Sequence, residues 1–233
     1  MKLTKTPHNA TIVEGFPGFG LVGSIATEFL IEHLKCEQIG SHWFEEMPAT
    51  IAVHDGNLIK PMNIFYCEEF NLVIIHAISG GSGIEWKITD YIDELAGKLN
   101  AKEIVSLEGV GSVQAKENPK VFYVTNQDAK KEHLKNLKVK ELKEGILVGV
   151  TSALLTKSDK PLTAFFAETH SELPDSMAAA KIVETLNAYL DLHIDPKPLL
   201  EQAQKFENKL NTIIKQGANT KDELKRKQMS YVG

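Results

Sequence analysis

Three glycines, Gly18, Gly20 and Gly23, stand in the spacing G-x-G-x-x-G inside Glu14-Gly15-Phe16-Pro17-Gly18-Phe19-Gly20-Leu21-Val22-Gly23. Where such glycines join a strand to a helix, backbone N–H groups and the helix N-terminus approach a pyrophosphate, and an acidic residue about 20 positions on bonds a ribose. Glu45 and Glu46 stand at that distance. Three details oppose a dinucleotide. Pro17 has no N–H to donate, and Phe16 and Phe19 put rings where the phosphates would lie. In addition, Gln38-Ile39-Gly40-Ser41-His42-Trp43-Phe44 is not the continuous apolar run of a buried parallel strand. Glycines also serve any tight strand-to-helix turn without a ligand. Phosphate cradle and structural hinge are both open on the residues; the expectation taken forward is the hinge, with no cofactor.

Other chemistry-bearing residues lack the company a reaction needs. Ser79 and Ser82 in Ser79-Gly80-Gly81-Ser82-Gly83 are candidate nucleophiles, but neither has the G-x-S-x-G frame. His170 lies among Glu168, Glu172 and Asp175, which suggests either a metal or a capped helix; no second spaced histidine accompanies it. His76 interrupts the apolar run Leu72–Ile78 and reads as a base or as a hydrogen-bonded core histidine. Glu108 falls at a strand end, where open α/β sheets gather ligands, so Gly18, Gly80, Glu108 and Gly111 are expected around one crevice. No catalytic residue and no metal site is assigned. Cys36 and Cys67 have no C-x-x-C spacing and are expected as two buried, reduced thiols.

The elements that must position these residues follow from periodicity. Ile12-Val13 ends a strand, and Leu21, Ile25, Phe29 and Leu30 recur at helical spacing. Thr50–His54 and Asn63–Cys67, flanking Asp55-Gly56, predict an edge hairpin. Leu72–Ile78 reads as a strand buried on both faces, followed by a helix with the stripe Trp86, Ile88, Ile92, Leu95, Leu99 and a stop at Asn100. Glu103–Leu107 is a strand with Glu108–Ser112 as its loop. Further strands are expected at Val121–Val124, Ile146–Val150 and Thr163–Glu168, with a helix over Gln127–Asn136. Asp175 is an apt N-cap for a helix burying Ala179, Ile182, Val183, Leu186 and Leu190. The fold class is α/β with a mixed sheet.

After the break Asp195-Pro196-Lys197-Pro198, Leu199, Ala203, Phe206, Leu210 and Ile213 step by four and three. Such a stripe packs on its own domain or on a second copy, and it is the expected oligomer contact. The chain thus divides into an α/β core over 1–194, a C-terminal helix over 195–216 and a charged tail over 217–233. With 233 residues, 42% hydrophobic and 24% charged, the composition is that of an ordinary globular protein. A net charge of −5 makes nucleic acid a poor partner. No stretch has the apolar length of a membrane span or the core of a signal peptide, so the expected location is the cytoplasm.

Taken together, the block Glu14–Gly23, the pair Glu108-Gly109, Glu168-Thr169 with Pro174-Asp175 and Ala178-Ala179-Ala180, and Ile194-Asp195 resemble the proteasome assembly chaperone 2 family in its archaeal branch. The family-motif loop is carried by Gly15, Phe16, Pro17, Gly18, Gly20 and Gly23. The resemblance implies a three-layer α/β/α fold related to nucleoside phosphorylases, homo-oligomerisation, and non-enzymatic chaperoning of proteasome α-subunits during core-particle assembly. It also implies a terminal docking peptide whose tyrosine and carboxylate enter pockets between α-subunits. Here the end is Met229-Ser230-Tyr231-Val232-Gly233, with the tyrosine third from the end rather than second. Met229, Tyr231, Val232 and Gly233 are the expected docking residues. The alternative is a small-ligand-binding protein or enzyme of phosphorylase-like architecture, motivated by the glycine-rich strand ends and Glu108.

Overall fold

The computed structural model describes residues 2–54, 57–112, 119–169 and 173–201. In chain order the elements are β1 (Thr11–Gly15), a short 3-10 turn (Phe19–Leu21), α1 (Val22–His33), β2 (Glu37–His42), β3 (Ala52–His54), β4 (Asn57–Ile59), β5 (Met62–Cys67), β6 (Leu72–Ala77) and α2 (Glu85–Leu99). They continue through β7 (Glu103–Gly111), β8 (Val121–Thr125), α3 (Asp128–Asn136), β9 (Lys140–Glu141), α4 (Val150–Lys157), β10 (Leu162–Thr169) and α5 (Ser176–Leu190). Eight strands form one mixed sheet in the order β2-β5-β6-β1-β7-β10-β8-β9, and β3 pairs only with β4. The centre, β6-β1-β7-β10, is parallel, whereas β5, β2 and β8 join antiparallel.

Alternation along the central strands divides two cores. Val13, Leu72, Ile74, Val105 and Phe165 face α1, α3 and α5; Ile12, Val73, Ile75 and Ile104 face α2 and α4. Two helical layers therefore enclose the sheet, which is why its central strands are apolar on both faces at most positions. Asp175 caps α5 by accepting from the Ala178 N–H at 2.9 Å, and Asn100 ends α2 in the left-handed conformation at φ 47°. Leu199, beyond the α5 region, is buried in the core on the α1 and α5 side. Ala203, Phe206, Leu210, Ile213 and the tail lie outside the described residues.

Several expectations are corrected. The hairpin is β3 with Asn57–Ile59, not with Asn63–Cys67; Pro61 intervenes, and β5 enters the main sheet between β2 and β6. Glu108–Gly111 is strand rather than loop, because β10 pairs along β7 as far as Thr169 opposite Gly111. Ile146–Leu147–Val148 pairs with no strand, and Val150 opens α4 instead; a short apolar run does not by itself distinguish these outcomes. Finally, Cys36 and Cys67 are joined in a disulfide. The antiparallel register that sets Glu37 opposite Tyr66 brings the two cysteines across the ladder with a Cα separation of 4.3 Å. Within α2, Trp86 lies outside the stripe and is 52% exposed.

At the β2 edge, the ladder carries an irregularity between Gln38 and Gly40, and Leu3 bridges Gly40 from outside. The Thr4 N–H donates to the Ile39 carbonyl at 2.8 Å.

Helix α1 meets the sheet backbone to backbone. A Cβ on Gly23 would collide with the Leu107 carbonyl oxygen, one on Gly15 with the Gly23 carbonyl, and one on Gly109 with the Phe19 carbonyl. Helix propensity alone favours Gly23→Ala by about 1 kcal/mol, but overpacking of this kind costs roughly 1–3 kcal/mol. Gly23→Ala is therefore expected to lower the urea midpoint, while Gly97→Ala on the open face of α2 raises it. Reduction of the disulfide, which spans 31 residues, is expected to cost up to about 4 kcal/mol on the chain-entropy estimate, measured as the midpoint shift with and without dithiothreitol.

Candidate functional site

Strand β1 lies between β6, which its own chain reaches first, and β7, which is reached from β6 through α2 on the opposite face. Strand order reverses here, and outside the carboxyl ends of these strands a crevice opens, as expected of an open α/β sheet. Its volume is about 450 Å³, within the range of small-molecule sites. The loop after β1 supplies Phe16, Pro17, Gly18 and Phe19, and the loop after β6 supplies Gly80, Gly81 and Ser82. Glu85 opens α2, Leu107 and Glu108 come from β7, and Val148, Gly149, Val150 and Thr151 lead into α4.

Of the residues expected at one crevice, Gly18, Gly80 and Glu108 are brought together; Gly111 is not on this wall. Gly15, Gly20 and Gly23 seat the loop from behind. A Cβ on Gly20, whose φ is 64°, would meet Thr169 Oγ1 and Asp175. Neither Glu45 nor Glu46 lines the crevice, and Glu46 pairs with Lys87. Among the described residues the lining holds two carboxyls and no lysine, arginine or histidine, a charge pattern that repels a pyrophosphate.

His76 is buried and bonded at 2.9 Å to Thr27 Oγ1, and burial pushes its pKa down to about 4, so it is a neutral core imidazole. Ser79 is buried away from the lining, whereas Ser82 is on it. Asp175 holds Thr169 as well as the α5 cap, and His170 and Glu172 lie outside the described residues. Among the described residues no group of three or more His, Cys, Asp or Glu is arranged to hold a metal.

Behind the crevice runs a chain of four side chains from three elements. Glu14 on β1 is bonded to the Ser106 hydroxyl, Ser106 Oγ lies 2.7 Å from Thr151 Oγ1, and Thr151 hydrogen-bonds Glu108. Three contacts need three protons, and the two hydroxyls supply two. With both carboxyls ionised, Ser106 donates to Glu14 and Thr151 to Glu108, and the 2.7 Å contact between the hydroxyls carries no proton. With Glu14 protonated, every contact has one. Burial raises Glu14 to about 8, aided by the nearby Glu108 charge, and raises Glu108 to about 7. Glu14, the deeper group, holds its proton more tightly, and Glu108 ionises first.

Strand β7 holds a second buried carboxyl for contrast. Glu103 accepts from the Thr163 and Tyr189 hydroxyls at 2.6 Å and from Lys130 Nζ at 3.2 Å. Glu108 is less completely paired: its Oε2 is buried with no hydrogen-bond partner. Sequence reading missed Glu14, Ser106, Gly149 and Thr151. Glu14 was visible as an acid inside an apolar strand, but its hydroxyl partners are remote in sequence, and Gly149 with Val150 reads as strand.

The family model of the PAC2 family matches residues 12–214. The crystal structure of Pyrococcus furiosus PbaA, an archaeal homolog of proteasome-assembly chaperone, superposes with a TM-score of 0.83 at 29% identity, covering 97% of this chain and 96% of that one. Pyrococcus furiosus PbaB, an archaeal proteasome activator, shares the fold with a TM-score of 0.78 at 20% identity, over 91% and 96% of the two chains. An uncharacterized protein of Methanocaldococcus jannaschii is 27% identical over 97% of this chain and 94% of its own length.

Stability should report the proton on Glu14. The unfolded glutamate ionises near 4.5 and the folded one near 8, so this group's contribution is full below pH 4.5 and is lost as pH rises toward 8. His76 acts oppositely, but only below its ordinary 6.5. Between pH 6.5 and 8, Glu14→Gln is therefore expected to flatten the decline in unfolding free energy by up to about 1.4 kcal/mol per pH unit, read from urea titrations of both proteins. Parallel curves would contradict the assignment.

Proposed function

The chain belongs to the PAC2 family, and on that premise we propose that it is a non-enzymatic chaperone that binds proteasome α-subunits in the cytoplasm and assists core-particle assembly. The observation that carries this reading is the near end-to-end similarity to PbaA, described as a homolog of a proteasome-assembly chaperone. The family match alone supports a role of chaperone type; α-subunits as the partner come from the sequence resemblance. The titratable groups support binding over catalysis. His76 is sealed in the core, and the hydroxyls of Ser106 and Thr151 are engaged between carboxyls instead of free to attack.

In this reading the α/β core is a scaffold and the last residues are the docking element. Met229, Tyr231, Val232 and Gly233 dock between α-subunits, Tyr231 supplying buried aromatic area. Ala203, Phe206, Leu210 and Ile213 continue the stripe beyond Leu199 and provide the contact between copies. Leu199 itself is packed on its own core, so it anchors the start of that stripe.

Co-purification from the native cell is expected to recover proteasome α-subunits. Deleting Met229–Gly233 is expected to weaken capture of assembled core particles, while the fold stays intact by circular dichroism. An unchanged pull-down by the truncated chain removes the tail from the mechanism, and failure of the full chain to recover α-subunits overturns the assignment of partner.

A further inference from the structure

The crevice has the make-up of a binding site whose ligand is positively charged. Its floor is Glu108, with Oε1 2.9 Å from the Cβ position of Gly18 and 3.3 Å from that of Gly149, and with Oε2 buried and unpaired. A side chain at either glycine would crowd the carboxyl. Glu85 adds a second carboxyl at the α2 end of the lining. Around them stand Phe16, Phe19, Leu107, Val148 and Val150, with Phe19 39% and Val148 56% exposed at the rim. The Glu108 carboxyl borders an apolar lining, where its charge is costly unless a donor reaches it, and aromatic faces attract cations rather than anions.

We propose that this crevice binds an organic cation, a primary ammonium or guanidinium group on a short apolar stem, with Glu108 as its counter-ion and Phe16 and Phe19 against the stem. The proton held on Glu14 leaves Glu108 free to carry the charge. Glu14 on β1, through Ser106 and Thr151, is the titratable group coupled to Glu108, and Glu85 on α2 lines the same crevice; among the described residues no lysine, arginine or histidine lines it. The same chemistry is offered by a free amine and by a lysine or arginine side chain of another protein. The site is independent of the docking role assigned to the tail.

The test is a titration of the full-length protein with n-butylammonium, followed by amide NMR shifts at Gly18, Gly81 and Gly149, alongside n-butanol, inorganic phosphate and Nα-acetyl-lysine methylamide. Saturable binding of n-butylammonium is expected, with n-butanol and phosphate at least tenfold weaker. Glu108→Gln is expected to lose at least tenfold in affinity, and Val148→Arg, at an exposed rim position, is expected to weaken binding without relying on a change in the core. Because Glu108 ionises near 7, wild-type affinity should rise about tenfold between pH 6 and pH 8. Binding of the lysine derivative as tightly as the free amine assigns the site to a protein side chain; binding of the free amine alone assigns it to a small molecule. No amine binding, equal binding of n-butanol or phosphate, or an undiminished affinity in Glu108→Gln overturns the proposal.

Discussion

Helix α1 approaches the sheet with backbone against backbone at its first turn. Gly23 rests on the Leu107 carbonyl, Gly15 on Gly23, and Gly109 under the Phe19 carbonyl. This contact fixes the height of the helix and therefore the path of Phe16–Phe19, which has to climb from the end of β1 to the start of α1. The crevice wall follows from it, since Phe16, Pro17, Gly18 and Phe19 are that path. A glycine pattern that in other proteins admits a phosphate here lets two backbones touch, and the space beside it is bounded by carboxyls.

The second constraint is the presence of ionisable groups within, or at the edge of, a layer where water does not reach. Glu103 is stabilised by three donors, two on Oε1 and one on Oε2. Glu14 and Glu108 solve the same problem by sharing, with one proton placed so that two hydroxyls can connect them. Such a chain is stable only while its proton count is right. The two ends of β7 thus carry different tasks, one holding α3 and α5 to the sheet, the other facing the crevice.

Much of this architecture was legible from local pattern. Leu72–Ala77 is apolar at every position but His76 because helices cover both faces, and Asp175 before Ser176 announces α5. What escaped reading is what tertiary contact decides. Gly109 and Gly111 look like turn residues, yet β10 pairs beside them and Gly109 is small because Phe19 lies above it. Ile146–Val148 has the composition of a strand, but Gly149, at φ 88°, turns the chain into α4. The pairing of Cys36 with Cys67 depends on the register of β2 with β5, which no spacing rule encodes. At the site, Glu108 and the glycine loop were identifiable singly, whereas the bridge through Ser106 and Thr151 exists only once β7 and α4 have met.

The sheet's two margins differ from its centre in a way that bears on how this molecule keeps company. Leu3 and Thr4 close over part of β2, the ladder there is irregular, and β9 at the far margin is two residues long. An incoming strand finds no long, flat row of free N–H and C=O groups to extend. Copies of this chain are thereby steered away from open-ended polymerisation through their sheets.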